Sequence, residues 1–530
     1  MTIHQTAAIA LGAVLLSFPL VARSATVQPE ESHAALRKVV GLELEQISLA
    51  ELCTILSKRT AVPHQPADRE TGDLLLTMRG AFALGVLHRA VSDALGVEWQ
   101  RLETASGGYQ ARRRRGEAEE VDRVRDEQDR ASRAALTQFV QFAELSDEQI
   151  QALPPEWSRR LSAPHARQTA RLLSSLSSGQ QDEVLSGIPL SRPVSSLSPL
   201  AQRFIGELTA NDRRGPEAAG GTLSIQPGRI QGFTGLRMIE IQVSGAGRTY
   251  IMNLPDPVSP AIHQAAAYQL PRSGTDKIPQ DVIGLSIKSK ATWEVILRDL
   301  QRLSGCGVVS DAYRGLDGTD LLPPVPPGNA ETASAYLDRM CRLSWKRAWG
   351  HADGVLTFRR LDWALQRGRA IPESDLRRWR EEAGQSGRLE VADLVQMSTL
   401  RPAQLCLLPR LLDLAFGQGV ISNRRFLVFW REARRSRRDS DSVTFLVRDL
   451  PLRVQPLAAA VVQDTAEVAN MGRVRFRVKQ AQDALTYVLE APPTVLGTAS
   501  VPLQLPANSV KRIRLEELER QRMLKAAETP

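Results

Sequence analysis

The stretch "ISLAELCTILSKRTAV" (residues 47–62) decides the fold, because its pattern of apolar residues returns in "SKATWEVILRDLQRLSGCGVV" (residues 289–309). The apolar residues at positions i, i+3, i+4 and i+7 are Leu49, Leu52, Cys53 and Leu56 in the first stretch and Trp293, Ile296, Leu297 and Leu300 in the second. This spacing puts four side chains on one face of a helix. The sequence therefore predicts the same amphipathic helix twice.

The segments that follow each helix also align without a gap. Leu87, Ala90, Val91, Ala94 and Leu95 fall on Ala333, Tyr336, Leu337, Met340 and Cys341. Residues 97–101 fall on 343–347, Gly108-Tyr109 on Gly354-Val355, and Arg113-Arg114 on Arg359-Arg360. A shared register of this length indicates an internal duplication of residues 42–114 in residues 283–360. Each copy is predicted to be a small βαββα-type module ending in a strand pair.

The two copies resemble the STN domain, the short module at the N-terminus of bacterial secretins and of TonB-dependent signal-transducing receptors. The resemblance rests on the helix of residues 47–62 followed by "LLLTMRGAFALGVLHRAVSDALGVEWQRL" (74–102), and on "AETASAYLDRMCRLSWKRAW" (330–349) followed by "GVLTFRR" (354–360). The second copy departs from the pattern in "DGTDLLPPVPPGN" (317–329), which has too many prolines for a regular strand. The resemblance implies a docking module without catalytic residues, with secretin or TonB-system components among the possible partners.

The whole chain is predicted to be a multidomain α+β protein, in which the modules occupy residues 38–114 and 280–361. The other predicted segments are a charged linker and helical block (115–213), a β-hairpin element (220–258), a helical block (362–418), a β-rich element (420–506) and a charged C-terminal helix (508–530). Within the β-rich element, "RRFLVFW" (424–430) is interpreted as a strand. The C-terminal helix is interpreted as solvent-exposed, with a thin stripe of Leu515, Leu518 and Leu524. Each half is therefore a module, a helical block and a β element.

The N-terminal segment is predicted to be a secretory signal peptide (1–24). An apolar run from Ala7 to Ala22 precedes small residues near a cleavage site, although residues 1–5 contain no Lys or Arg. A retained membrane anchor is the alternative. No later segment has about 18 uninterrupted apolar residues, so no span is predicted in the mature chain. A periplasmic or secreted location follows.

The sequence contains no motif that indicates an enzyme, and we predict no catalytic residue, metal or cofactor. The nucleophile elbow, the phosphate-binding loop and the zinc-protease helix are all missing from the sequence. Among the histidines, His88 is predicted at the edge of a core and His64 in a connection where it titrates freely. Cys306 and Cys341 are either a disulfide or two separate thiols. A hydrolase with a site assembled from distant loops stays an alternative.

The leading hypothesis is docking to other envelope proteins through module surfaces and exposed sheet edges. Candidate binding residues are Trp99 with Tyr109 and Trp345 with Trp349, and core packing is the alternative for Trp99 and Trp345. Trp349 has no aromatic counterpart in the first copy and is predicted to lie on the surface. The net charge of +9 allows a nucleic-acid or anionic-polymer binder instead. Such a binder would use Arg112, Arg113, Arg114 and Arg115, together with residues 431–438.

Overall fold

The computed structural model shows a mixed α+β protein with several small sheets and many helices, which confirms the predicted fold class. It describes residues 34–529 except 104–106, 154–157, 159–160, 162–164, 178–179, 182–183, 185–189, 211–220, 228–236, 244–248, 255–268, 285–291, 316–330, 406, 435–441 and 464–469. The predicted signal peptide and the proline-rich stretch 317–329 thus lie outside the described residues. No helix within the described ranges is long and apolar enough to cross a membrane.

Module 1 is built around two helices that local signals start and stop. Ser48 and Glu51 form a reciprocal capping box at the start of the first helix, and Gly96 ends the second in the left-handed conformation. The elements are β1 (Val39–Ser48), α1 (Leu49–Thr60), β2 (His64–Pro66), α2 (Arg69–Gly72), β3 (Leu75–Ala83), α3 (Leu84–Leu95), β4 (Val97–Arg101) and β5 (Tyr109–Arg113). β1 pairs antiparallel with β3, while β2, β5 and β4 form a separate three-stranded sheet.

Module 2 repeats the three-stranded arrangement. Its elements are α8 (Trp293–Ser304), β10 (Gly307–Ala312), α9 (Ala333–Met340), β11 (Arg347–Ala352) and β12 (Val355–Arg360). β10 pairs parallel with β12, and β12 pairs antiparallel with β11, just as β2, β5 and β4 pair in module 1. The equivalent residues Val91 and Leu337 are both fully buried. In the described residues, the two modules therefore share the topology of their three-stranded sheets and one buried helix face.

The ungapped alignment is wrong between the second helix and its hairpin. Val97 pairs with Arg113 in module 1, whereas Ala348 pairs with the equivalent Arg359 in module 2, five positions beyond the aligned Leu343. A π-helical turn, Cys341–Trp345, extends the helix of module 2. The hairpin loop shortens from residues 102–108 to residues 353–354 and so restores the register. The extra residues after the helix and the shorter hairpin loop cancel in length, so a gap-free alignment does not show either change.

The modules are joined into one five-stranded sheet with the order β1-β3-β10-β12-β11. β3 of module 1 pairs antiparallel with β10 of module 2 over five residue pairs, from Val308 opposite Arg79 to Ala312 opposite Leu75. α3 of module 1 packs on β10 and β12, and Val309 and Val355 belong to the core of module 1. Residues of module 2 thus extend the sheet of module 1 and complete its hydrophobic core.

The helical block and the hairpin element that follow module 1 share one core and are not separate units. The elements are α4 (Glu117–Ala143), α5 (Asp147–Gln151), α6 (Ala166–Ser174), β6 (Leu190–Pro193), α7 (Pro199–Thr209), β7 (Thr222–Pro227), β8 (Arg237–Val243) and β9 (Thr249–Leu254). The predicted hairpin is part of a four-stranded antiparallel sheet, β6-β7-β8-β9.

The block after module 2 has the same plan. Its elements are α10 (Trp363–Arg369), α11 (Glu373–Ser386), α12 (Val391–Ser398), α13 (Pro402–Leu405), α14 (Leu408–Leu411), α15 (Leu414–Ser422), α16 (Arg424–Arg434), β13 (Ser442–Leu446), α17 (Gln455–Gln463), β14 (Arg475–Gln480), β15 (Ala484–Ala491) and β16 (Thr494–Pro502). The strand predicted at residues 424–430 is wrong, because these residues form α16. Phe426, Phe429, Trp430 and Ala433 are buried on one helical face, and the aromatic and β-branched content had suggested a strand.

The correspondence between the two blocks extends to individual hydrogen bonds. The Gln202 side-chain amide donates to the Leu197 carbonyl at 2.8 Å, and that of Gln455 donates to the Leu450 carbonyl at 2.9 Å. Both blocks run strand, 3₁₀ turn, helix and three further strands, with all four strands side by side in chain order. The described residues thus form two units, each with a module, a helical block and a four-stranded sheet.

The last helix, α18 (Ala507–Glu528), packs against module 1, so the prediction of a solvent-exposed C-terminal helix is wrong. Its buried residues are Val510, Ile513 and Ala527, while Leu515 and Leu518 of the predicted stripe are about half exposed. The Arg520 guanidinium pairs with Glu51 at the start of α1. The end of the second unit is thereby tied to the beginning of the first.

Candidate docking edges

Because docking through sheet edges is the leading hypothesis, the state of each edge decides where a partner can bind. The first edge of interest, β10, is filled by β3 of the same chain. Glycines at the crossing allow the strands to approach: a Cβ added to Gly80 would lie 2.8 Å from the Cα of Gly307. The main-chain pairing that a partner strand would make is already made within the molecule.

The equivalent edge of module 1, on β2, is capped by a side chain. The Ser57 hydroxyl accepts the His64 N–H at 2.7 Å. Pro66, in the same short strand, has no N–H to offer. The equivalent edges of the two modules therefore differ. The β10 edge of module 2 accepts a strand of module 1, whereas the β2 edge of module 1 is closed by a side chain and a proline.

The outer strands of the five-stranded sheet are also covered. On β1, the Arg59 guanidinium donates to the Gly41 carbonyl at 2.7 Å, and the Glu45 N–H donates to the Met523 sulfur of α18 at 3.3 Å. On β11, the Ser273 N–H donates to the His351 carbonyl at 2.7 Å. Covering an edge with a helix or a loop is a usual protection against unwanted strand pairing.

The edge of β16 is different. Over residues 494–501 its outward main-chain groups make no hydrogen bond within the described part of the chain. Val495 is 58% exposed. β16 carries no charged residue and lies inside a run of twenty residues, 491–510, that lacks Asp, Glu, Lys, Arg and His. This is an unprotected edge in a chain of which 24% is charged.

The edge of β4 also makes no outward main-chain bond among the described residues. It is five residues long and carries Glu98 and Arg101. Charged residues on a short edge discourage strand addition. Of these two edges, β16 is therefore the better docking edge.

The aromatic residues predicted to bind a partner lie inside the modules. Trp99 is 7% exposed, Tyr109 2%, Trp345 3% and Trp349 1%. The predicted surface position of Trp349 is wrong: its indole N–H donates to the Asp338 carboxylate at 2.9 Å. Trp345 sits on the π-helical turn and packs edge-on against Trp293. Core packing, the alternative for Trp99 and Trp345, describes these side chains.

The predicted basic cluster is only partly available to an anionic partner. Arg113 pairs with Glu70, and Arg114 pairs with Asp93 at 3.1 Å. Arg112 and Arg115 are exposed. In the second basic stretch, residues 431–434 belong to α16, and residues 435–438 lie outside the described ranges.

A cleft of about 510 Å³ lies where the two modules meet α11 and α18. Its arginines face glutamates: Arg314 pairs with Glu373 at 2.9 Å, and Arg377 pairs with Glu51 at 2.9 Å. Such ion pairs neutralise the lining and hold four elements together. The cleft is a seam between parts of the chain.

Module 2 contains a cysteine–histidine pair, an arrangement that some enzymes use for catalysis. The Cys306 sulfur lies 3.9 Å from the Nε2 of His351, whose Nδ1 lies 2.6 Å from the Ser273 carbonyl oxygen. Burial raises the pKa of the Cys306 thiol, which opposes formation of the nucleophilic thiolate. Cys53, Cys306 and Cys341 are unbridged, so Cys306 and Cys341 are separate thiols. The described residues include no cluster of three potential metal ligands.

Comparisons of the chain with protein-family models, with curated proteins and with solved structures find no match. The functional interpretation therefore rests on the geometry of the sheet edges. The sequence analysis placed β16 within the predicted β-rich element (420–506) without distinguishing it from the other strands. The charge-free run 491–510 is the signal that could have identified β16 as the open edge.

Proposed function

We propose that the protein is a non-enzymatic envelope protein that binds an extended segment of another protein along the edge of β16. The observation that carries the proposal is the uncharged nine-residue strand with unpaired outward main-chain groups. Export by the N-terminal apolar segment and the resemblance of the modules to STN domains support an envelope location. The partner class is a periplasmic or secretion-system protein.

Strand addition explains why β16 needs no charged or aromatic anchor. A partner strand gains main-chain hydrogen bonds along the whole edge, and alternate side chains on β16 set the preference. Val501 and Ala499 lie opposite Leu485 and Tyr487 on the core side. The opposite face presents Thr498 and Ser500, among others. An uncharged partner segment fits this edge best, because a charged one would lose hydration without gaining a counter-charge.

A charge placed on the edge tests the proposal. T498K and V495K introduce an ammonium group where a partner strand would lie, and L452K adds the same charge at a site that is 84% exposed and away from the edge. We expect a tagged full-length chain to retain specific envelope proteins on affinity purification. T498K and V495K should lose them, while L452K should not.

The salt dependence separates docking from anionic-polymer binding. Strand addition depends on main-chain hydrogen bonds and should persist at high ionic strength, whereas binding to a polyanion weakens steeply with salt. Retention of the same proteins by T498K and V495K would refute the proposal. So would complete loss of binding in the wild-type chain when the salt concentration is raised.

A further inference from the structure

Two histidines face each other in the core of module 1. The Nε2 atoms of His64 and His88 lie 3.2 Å apart, and the residues are 6% and 4% exposed. The His88 ring stacks on Trp99 with centroids 4.3 Å apart, and Tyr109 meets it edge-on at 4.8 Å. The expectation that His64 titrates freely is wrong, because burial lowers its pKa.

The hydrogen bonds fit two neutral rings. His64 Nδ1 lies 2.7 Å from the Val62 carbonyl oxygen, which only accepts, so this nitrogen carries the hydrogen. Nε2 of neutral His64 then accepts, and Nε2 of His88 donates to it. Nδ1 of His88 is left as a bare nitrogen, buried without a hydrogen-bond partner. All the hydrogens of the pair are satisfied in this state.

Acid destroys this arrangement. A proton added to His64 puts two N–H groups face to face, and a proton added to His88 creates a buried N–H with no acceptor. Burial and the neighbouring imidazole lower the pKa of His88 to about 3. Either charge would be buried in an apolar site, which is costly.

The charged groups on the surrounding elements are engaged elsewhere and do not compensate a positive imidazole. On α1, Lys58 pairs with Glu528 at 2.7 Å, and Arg59 donates to Gly41 and to the end of α18. Glu51 at the start of α1 pairs with Arg377 at 2.9 Å. On α3, Arg89 pairs with Asp353 and Asp93 with Arg114; on β5, Arg113 pairs with Glu70 and Arg112 is exposed. Glu98 and Arg101 on β4 are exposed, and the buried thiol of Cys53 on α1 is neutral.

Module 2 lacks the pair. Gly307 takes the place of His64, because it pairs with Val355 as His64 pairs with Tyr109. Ser334 takes the place of His88 in the aligned second helix. Module 2 keeps one buried histidine, His351, but no facing pair, so it is an internal control for the pair inside the same chain.

We propose that the His64–His88 pair makes module 1 open in mild acid and that this opening uncovers the β10 edge of module 2. The second step follows because β3 belongs to module 1 and is the strand that fills this edge. An unfolded imidazole binds a proton below about pH 6.5, whereas burial lowers the pKa of both rings, so the folded module takes up protons only at lower pH. The stability that the neutral histidines give module 1 is thus fully present above about pH 6.5. Below it, the folding equilibrium constant of the module falls by up to about tenfold per pH unit for each histidine. The edge concerned is distinct from β16, so the inference does not depend on the proposed function.

Hydrogen exchange on the full chain between pH 8 and pH 5, corrected for the intrinsic exchange rate, tests the inference. We expect amides of α3 and β10 to lose protection together below about pH 6.5, while amides of α9 in module 2 keep theirs. H88Q and H64Q remove a titrating ring and should flatten this dependence. H165Q removes an imidazole outside module 1 and should leave it unchanged.

Equal loss of protection in α3 and α9, or an unchanged pH dependence in H88Q, would overturn the inference. Ring NMR of ¹³C-labelled histidine in the wild-type chain gives an independent measurement if a variant fails to fold. The two rings should then resist protonation until module 1 opens. Two rings that titrate near pH 6.5 in the folded chain would refute the inference.

Discussion

Two glycines, Gly80 and Gly307, meet at the seam between β3 and β10. The sharpest structural prediction is that a side chain added at either glycine destabilises this seam. Gly80 has a φ of +132°, and a Cβ on it would lie 2.8 Å from the Gly307 Cα. A Cβ on Gly307 would lie 2.5 Å from Cε1 of Phe82. Phe82 is 1% exposed and has no room to move aside. G307A therefore adds a clash, and G80A adds a clash together with backbone strain.

The expected magnitudes follow from these two terms. Overpacking a buried contact costs about 1–3 kcal/mol, and holding a non-glycine residue in a disfavoured backbone region costs about 1–3 kcal/mol more. The lower unfolded-state entropy of alanine returns about 0.4–1 kcal/mol. G307A should thus destabilise the seam by about 1–2 kcal/mol, and G80A by about 2–5 kcal/mol. Since about 1.4 kcal/mol is a factor of ten, G80A should speed exchange of the seam amides by roughly thirtyfold or more.

Two other glycines separate the clash from the strain. A Cβ on Gly41 in β1 meets nothing within 4 Å, and one on Gly354 also meets nothing although its φ is +75°. G41A should leave the seam unchanged, and G354A should cost only its backbone term. The measurements are hydrogen exchange of β3 and β10 and urea unfolding of the full chain. If G307A and G41A have equal stability, the close approach of the two strands is refuted.

Three further predictions concern buried groups. D311A should destabilise the chain by about 3–5 kcal/mol in urea unfolding, because it leaves the Arg347 guanidinium buried without its carboxylate at 2.7 Å. E382Q should stabilise the chain at pH 8 and leave it unchanged at pH 4.5. Burial raises the pKa of Glu382 to about 7, so the stability of the wild-type chain falls as the pH rises from 4.5 through 7. Glutamine has no proton to lose, so the variant does not show this fall. I513A, at a fully buried site on α18, should cost about 2–5 kcal/mol in thermal unfolding, whereas L515A, at a site 52% exposed, should cost little.

Local periodicity predicted the helices of both modules, because the residues that form the buried face of a helix lie close together in the sequence at a regular spacing. Leu49, Leu52, Cys53 and Leu56 are all 0–1% exposed, as their spacing requires. The same reasoning failed for residues 424–430, where aromatic and β-branched residues favour a strand but the buried stripe has helical spacing. Pattern outweighs propensity when a segment is buried on one face.

The docking edges could not be predicted from the sequence, because distant segments decide which edge is covered. Ser57 closes β2 from the neighbouring helix, but β1 is covered by Met523, and β11 by residues 271–273. The candidate aromatics were misplaced for a related reason. Trp349 pairs with Phe358 as exposed Glu98 pairs with Arg112 in module 1, but its indole is buried against Arg272, which is distant in sequence, and Asp338.

The difference between the two modules explains why strand addition stops after one step. The β3–β10 contact is heterologous, since one module offers β3 and the other accepts it on β10. A contact of this kind, repeated without closure, would build an open fibre. In module 1 the accepting position is closed by the bond between His64 and Ser57 at 2.7 Å and by Pro66, so no further module can be added there. In module 2 glycine at position 307 admits the strand. The duplication therefore kept the three-stranded arrangement and changed the edge, and β16 is an open edge left for a partner.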